Sequence, residues 1–207
     1  MLPGGSGDIG LHADGDLRHA DNFVVRTRAR WAALGYAVLI PDTTDREDLR
    51  GLRSSVSYAS LVDDLATYAH SLAAGPVFLL GTSQGSIAAM NGAAHAQAGL
   101  ISGVVLTESV AVTGRSGETV FDANPQDVRV PALVVANRDD ACDVAPPSMA
   151  PRIVAAMRRS PDARVLAVSG RRQGPHNPCS SLSPHGYYGI EGPVIDEISR
   201  WMRAHGG

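Results

Sequence analysis

The chain contains no lysine, because all 18 of its basic residues are arginines. A Schiff base, a Ser–Lys dyad and a phosphate-loop lysine all require a side-chain primary amine, so this absence excludes those three chemistries. A nucleophilic serine in this chain must therefore take its base from a histidine or a carboxylate.

Several other signals are missing. No apolar run approaches the length that spans a bilayer, and the first residues lack the basic-then-apolar pattern of a secretory signal. The net charge of −3 does not suggest nucleic acid or a membrane surface as a partner. The histidines have no spacing suited to metal ligands. We therefore expect no nucleic-acid or membrane partner, no metal and no organic cofactor, and a cytoplasmic location by default.

Helical and strand-like patterns alternate along the 207 residues. Helices are predicted over about 22–34, 57–73, 84–99, 148–159 and 191–204, and strands at 36–40, around Val77, and at 103–107, 132–136 and 164–168. The helix at 57–73 carries Leu61, Leu65, Tyr68 and Leu72 on one apolar stripe. This alternation predicts one α/β domain over residues 1–207, with a mostly parallel sheet of about five or six strands and helices on both faces.

The most informative segment is Gly81-Thr82-Ser83-Gln84-Gly85, which lies between an apolar run and a run of small, helix-prone residues. It predicts a strand, a tight turn and a helix, with Ser83 at the apex. Such a turn points the serine hydroxyl outwards, and the two glycines let the strand and the helix cross closely. Ser83 is the predicted nucleophile, and the N–H of Gln84 is a predicted donor to an oxyanion.

A nucleophilic serine needs a histidine within hydrogen-bond reach and a carboxylate that orients the histidine. In open parallel sheets such groups lie beyond the carboxyl ends of the strands. The candidates in such places are Asp139, Asp140, Asp143 and Glu108 for the acid, and His176 and His185 for the base. The residues by themselves leave these alternatives open.

Four segments together resemble the α/β-hydrolases, and more narrowly their small bacterial members. They are LPGGSG at 2–7, GTSQG at 81–85, NRDDAC at 137–142 and SPHGYYG at 183–189. The segments span nearly the whole chain and place serine, aspartate and histidine in the family's order. The resemblance implies that Asp140 is the acid and that His185, just before the last helix, is the base. It also implies that Gly5 supplies the second oxyanion donor, and that the fold is a reduced α/β-hydrolase fold.

The start of the chain departs from the family pattern. The family has a strand between those predicted here at 36–40 and Val77, and in this sequence only Met1 and Leu2 are left to form it. The two flanking strands could pair directly, a neighbouring chain could supply the strand, or the sequence could be shortened relative to a longer protein. A shortened sheet with a compensating homodimer contact is the favoured expectation. Gly5, Gly7 and Gly10 also match a dinucleotide fingerprint, but too few residues precede them for a strand, so this interpretation is rejected.

The two cysteines lie near the candidate acid and base. Cys142 comes two residues after Asp140, and Cys179 comes six residues before His185. If those loops meet, the sulfurs come close enough to form a disulfide, the alternative being two free thiols. A disulfide would favour a periplasmic or secreted protein over a cytoplasmic one.

The resemblance implies a serine hydrolase that cleaves small carboxylic esters through an acyl-enzyme on Ser83. The segment at 108–130 is short, so no large cap is expected, and a small ester is the expected partner. A thioesterase or a peptidase would use the same residues, and a non-catalytic binding protein on this fold is a further alternative.

Overall fold

A computed structural model describes residues 1–170, 172 and 177–206, and its centre is a parallel sheet. The strands are β1 (Phe78–Thr82), β2 (Gly103–Thr107), β3 (Ala132–Asn137) and β4 (Ala163–Val168). They lie side by side in chain order, and each neighbouring pair is parallel. Consequently the carboxyl ends of all four strands lie at the same edge of the sheet.

In the described part of the chain, six α-helices lie around this sheet. They are α1 (Phe23–Arg26), α2 (Arg28–Ala33), α3 (Val56–Leu72), α4 (Gln84–His95), α5 (Ala150–Ala156) and α6 (Glu191–His205). Short 3₁₀ helices occur at Thr44–Arg46, Pro125–Asp127, Pro147–Met149 and Pro184–Gly186. The helix predicted at 22–34 is interrupted at Thr27, whose hydroxyl donates to the Phe23 carbonyl. No helix in the described ranges is both long and apolar enough to cross a membrane.

Alternating strand residues contribute to two separate cores. Val104, Leu106 and Val134 pack in the cluster that contains residues of α3, α4 and α5. Val105 and Leu133 pack in the cluster that contains residues of α1, α2 and α6. This alternation follows from the two-residue period of a strand. The predicted arrangement, a parallel sheet with helices on both faces, is therefore confirmed.

The sheet has four strands within the described residues, fewer than the five or six predicted. Segment 36–40, which was expected to be a strand, forms no ladder. The Met1 nitrogen donates to the Leu39 carbonyl at 2.5 Å, and Leu2 makes an isolated parallel bridge with Gly81. These isolated contacts do not form a ladder, so segment 36–40 is not a strand of the sheet in the described residues.

A cavity of about 550 Å³ lies beside β1, between this strand and segment 36–40. Its walls include Leu39, Val62, Leu65, Phe78 and Leu80. The Met1 amino group is buried, and burial lowers its pKa to about 5 because an ammonium loses its hydration there.

The prediction that segment 36–40 pairs directly with β1 is wrong, since Leu2 lies between them. The homodimer contact stays a prediction.

The apolar stripe predicted for α3 does not form its buried face. Leu61, Tyr68 and Leu72 are 47%, 54% and 60% exposed, whereas Val62 is 1% exposed and packs on α4. The reason is a close helix–helix approach: a Cβ on Gly92 of α4 would lie 2.4 Å from Val62 Cγ1. Small residues on α3 permit this approach better than the leucines of the stripe.

Adjacent substitutions on α3 test this orientation. We expect Val62→Ser to lower the free energy of unfolding by roughly 2–3 kcal/mol, because it removes a buried side chain and places a hydroxyl in the core. Leu61→Ser should change it by less than about 0.5 kcal/mol, because Leu61 is half exposed. Urea denaturation measures both values. Equal losses in the two variants would show that the helix is rotated from the orientation described.

Candidate active site

Ser83 lies at the turn between β1 and α4 with φ = 52° and ψ = −122°, a backbone conformation that L-residues rarely adopt. The turn is closely packed. A Cβ on Gly81 would lie 2.1 Å from the Gly85 carbonyl oxygen, and a Cβ on Gly85 would lie 2.1 Å from the Leu2 carbonyl oxygen. The Ser83 N–H donates to the Thr107 carbonyl at 2.9 Å, which ties the turn to β2. Only glycine fits at either flank, as the motif predicts.

Three side chains far apart in the sequence meet at this turn. His185 Nε2 lies 2.9 Å from Ser83 Oγ, and His185 Nδ1 lies 2.8 Å from Asp140 Oδ2. The other Asp140 oxygen, Oδ1, accepts the Cys142 N–H at 2.8 Å. The side chains of His185 and Asp140 are 4% and 0% exposed. The structure therefore brings Ser83, His185 and Asp140 into one continuous hydrogen-bonded chain.

Local contacts hold His185 in this position. Ser183 Oγ accepts the His185 N–H at 3.1 Å and donates to the Ser180 carbonyl at 2.8 Å. The Asn137 side-chain amide donates to the Pro184 carbonyl at 3.0 Å, which connects the end of β3 to the histidine loop. The guanidinium of Arg26 donates to the Gly186 carbonyl. The histidine is thus anchored from β3, from α1 and from its own loop.

The other candidate acids have different partners. The Asp139 carboxylate accepts the Gly170 N–H at 2.8 Å, and the Asp143 carboxylate lies beside the two cysteine sulfurs. Glu108 does lie at the site, but the His185 imidazole bonds to Asp140 and not to Glu108. His176, the alternative base, lies outside the described residues.

The predicted oxyanion donors lie on both sides of Ser83. Gln84 is the first residue of α4, so its N–H is among those without a partner inside the helix, at the positive end of the helix dipole. Gly5 has φ = +63° and lines the same pocket as Ser83. The loop of Gly5 is pressed against the serine, since a Cβ on Gly4 would lie 3.1 Å from Ser83 Cβ.

A pocket of about 240 Å³ contains Ser83, His185 and Gly5. It is separate from the larger cavity beside β1, which does not include the triad residues. The sequence did not identify Arg18, which also lines the pocket. Arg18 lies in a loop without periodicity. Long-range contacts such as those of the Asp42 carboxylate with the Ile9 and Leu11 N–H groups fold this loop, and no local pattern reveals them.

Two buried groups behind the triad have shifted pKa values. Burial, and then the negative charge of Asp140, raises the pKa of Glu108 well above its usual value of 4.5. Burial, and then the nearby Glu108, raises the pKa of Tyr187 well above its usual value of 10.0. The Tyr187 hydroxyl donates to the Val135 carbonyl at 3.0 Å. Both groups therefore favour their neutral forms.

Two clusters in the described ranges bring metal-binding atom types within 4.8 Å of one another. The first consists of Glu108, Asp140 and His185, where both imidazole nitrogens already bond to Asp140 and Ser83. The second consists of Cys142, Asp143 and Cys179, where the two sulfurs are bonded to each other. Hydrogen bonds thus already engage both imidazole nitrogens of the first cluster, and a covalent bond joins the two sulfurs of the second.

The Cys142–Cys179 disulfide connects the acid loop to the loop that leads to His185. The two cysteines are 37 residues apart in sequence. Cys142 also donates its N–H to Asp140, so the bond restrains the loop that carries the acid. The bridge therefore restrains Asp140 and His185 relative to each other.

Comparisons with known proteins add little. No protein-family model matches the chain, and no curated protein matches it. Among solved structures, the chain is similar to a "Putative Dienelactone Hydrolase" from Klebsiella pneumoniae subsp. pneumoniae MGH 78578. The identity is 17% and the TM-score 0.48, over 82% of this chain and 68% of that chain. A likeness this distant supports no functional argument, so the function must be argued from the geometry of the site.

The fold class follows from the chain itself. A serine turn after β1, an aspartate after β3 and a histidine after β4 lie at one edge of a parallel sheet. The predicted α/β class, a parallel sheet with helices on both faces, is therefore confirmed, with four strands in the described residues. This arrangement is consistent with the reduced α/β-hydrolase fold that the sequence resemblance implies.

Removal of the disulfide should destabilise the protein. We expect Cys142→Ala/Cys179→Ala to lower the free energy of unfolding by about 3–4 kcal/mol, because the bond closes a loop of 37 residues in the unfolded chain. Urea denaturation of the oxidised wild type and the double variant measures the difference. Mass spectrometry after alkylation without reductant provides the control, and two labelled thiols in the wild type would contradict the bond.

Proposed function

We propose that the chain is a serine hydrolase that cleaves small carboxylic esters through an acyl-enzyme on Ser83. The observation that carries the proposal is the hydrogen-bonded chain from Asp140 through His185 to Ser83 Oγ. The strained backbone of Ser83 supports it, because such strain persists where the surrounding structure holds a residue for a task.

The proposed reaction has two halves. Ser83 Oγ attacks the ester carbonyl while His185 Nε2 takes its proton, and Asp140 stabilises the resulting imidazolium. His185 then returns the proton to the leaving alcohol, which leaves an acyl group on Ser83 Oγ. In the second half, water gives a proton to His185 and attacks the acyl carbon. The bond between the acyl carbon and Ser83 Oγ then breaks, His185 returns the proton to Ser83 Oγ, and the carboxylic acid is released.

The oxyanion formed in each half would accept hydrogen bonds from the N–H groups of Gln84 and Gly5. The position of Gln84 at the start of α4 and the contact between Gly4 and Ser83 support this assignment. A lost oxyanion donor typically costs about 2.7–4 kcal/mol of transition-state stabilisation. The same two groups would bind both tetrahedral intermediates.

The pocket favours small substrates. Its volume of about 240 Å³ is below the roughly 300–1,000 Å³ of sites for drug-sized ligands. Between β2 and β3 the chain forms only one short 3₁₀ helix and no covering helical cap. We therefore propose water-soluble esters with short acyl chains as substrates.

The disulfide supports a location outside the cytoplasm. Disulfides persist in oxidising compartments and are rare in reducing ones. We propose a periplasmic or secreted protein on the basis of the Cys142–Cys179 bond.

Hydrolysis of p-nitrophenyl acetate, butyrate and octanoate tests the activity. We expect wild-type turnover to fall with chain length, and Ser83→Ala, His185→Ala and Asp140→Asn each to lower kcat by about 10³-fold or more. Ser71→Ala serves as the control, because Ser71 is an exposed serine on α3 away from the pocket. Liberated p-nitrophenolate is followed by absorbance, and a burst in the first turnover reports the acyl-enzyme.

The contrary outcomes separate the alternatives. Equal rates in the wild type and Ser83→Ala would remove the assignment of the nucleophile. Faster turnover of a thioester or an amide analogue than of the matched ester would make the protein a thioesterase or a peptidase. No turnover of any of the three would favour a binding protein.

A further inference from the structure

We propose that Glu108 is a positioning residue that carries a proton and donates a hydrogen bond from Oε2 to the carboxylate of Asp140. The two buried carboxyl groups then share one negative charge beside His185. The kinetic part of this inference rests on the proposed hydrolase function.

Glu108 follows β2 directly and is 1% exposed. Its Oε1 accepts the Asn137 N–H at 3.0 Å, which ties it to the end of β3. Its Oε2 is buried and has no hydrogen-bond donor among the described residues. Carboxylate oxygens of Glu108 and Asp140 and a ring nitrogen of His185 all lie within 4.8 Å of one another. The buried carboxyl group of Glu108 is therefore within reach of both Asp140 and His185, and one of its two oxygens has no donor among the described residues.

The hydrogen bonds indicate which carboxyl group holds the proton. Asp140 accepts from the Cys142 N–H on one oxygen and from His185 on the other, so both of its oxygens have donors. Glu108 accepts only one N–H. A second buried carboxylate would leave Oε2 unsatisfied and place like charges together. A proton on Glu108 Oε2 removes both costs, because it converts an orphan acceptor into a donor.

The other titratable groups that face Glu108 are the phenol of Tyr187 and the imidazole of His185. The Tyr187 O–H donates to the Val135 carbonyl, and its proximity lowers the pKa of Glu108 by less than burial and Asp140 raise it. Burial, and then the charge of Asp140, raises the pKa of Glu108, so electrostatics and hydrogen-bond geometry give the same result.

The backbone of Glu108 is strained, as is the backbone of two neighbouring residues at the site. Glu108 has φ = +44°, Ser83 has φ = +52° and Tyr187 has φ = +56°, and none of the three is glycine. Positive φ costs such residues of order 1–3 kcal/mol each and persists where the surroundings impose it. The three therefore form one group of residues held in unfavourable conformations around Asp140 and His185.

The role follows from the number of donors. With Glu108 protonated, Asp140 is held by three donors and cannot turn away from His185.

Two substitutions of similar length separate this role from simple packing. Glu108→Gln keeps a neutral donor towards Asp140 and an acceptor for Asn137, so we expect kcat within about threefold of wild type and an unshifted acid limb of the pH–activity profile. Glu108→Met removes the donor. We expect its kcat to fall about 10–100-fold with little change in KM, because Asp140 and His185 lose their alignment.

Equal losses in Glu108→Gln and Glu108→Met would overturn the proposal, because they would show that the negative charge of Glu108 is needed. Full activity in Glu108→Met would also overturn it. Burst titration normalises each rate to the active protein, so partial misfolding does not imitate either result. Assays with and without EDTA accompany these measurements, and a loss of wild-type activity in EDTA would also overturn the proposal in favour of a bound cation.

Stability gives a readout that does not require hydrolase activity. A carboxyl group with a raised pKa binds a proton more tightly in the folded state, so its contribution to stability is lost as pH rises above the unfolded value of about 4.5. Glutamine has no such loss. The free energy of unfolding of Glu108→Gln minus that of wild type should therefore increase with pH from about 4.5 upwards. A difference that stays constant with pH would overturn the protonated state, whether or not the protein hydrolyses esters.

Discussion

The close crossing of β1 and α4 is the constraint on which the site depends. Gly81 and Gly85 allow backbone to approach backbone without intervening side chains, and the Leu2 carbonyl packs against Gly85. This contact forces Ser83 into positive φ and directs its hydroxyl to the edge of the sheet where the strands end. It also brings the N-terminal loop of Gly4 and Gly5 to the serine. One short motif thus determines the position of the nucleophile and of the loop beside it.

The sequence predicted features that depend on local chemistry. Glycines on both sides of Ser83 identify the turn because only glycine fits there. The residues alone do not distinguish Asp139 from Asp140 as the acid, because the two are adjacent. The path of the chain after β3 decides which of them bonds to His185. Segment 36–40 has the composition of a strand, but a ladder also needs a neighbouring strand, and none pairs with it in the described residues. Composition alone does not show which segments pair.

The sequence does not predict the environment behind the triad. It identifies Glu108 only as an alternative to Asp140 for the acid, because chain position does not show that the two carboxyl groups are buried together. The two carboxyl groups lie close together, Glu108 has a single donor among the described residues, and the phenol of Tyr187 is adjacent. The charge of the pair therefore depends on which carboxyl group holds a proton. The Cys142–Cys179 bond holds the same region from the other side. The buried carboxyl pair and the two loops joined by the disulfide thus together hold His185 in position.

The cavity beside β1 has a consequence for how that side of the protein meets small apolar molecules. Its volume is about 550 Å³, it is partly open to solvent, and its walls include the apolar side chains of Val38, Val62 and Leu79. Apolar walls of this kind favour the uptake of small apolar compounds from water. Dyes that fluoresce on apolar surface should therefore bind the native protein on the β1 side, away from the pocket of Ser83.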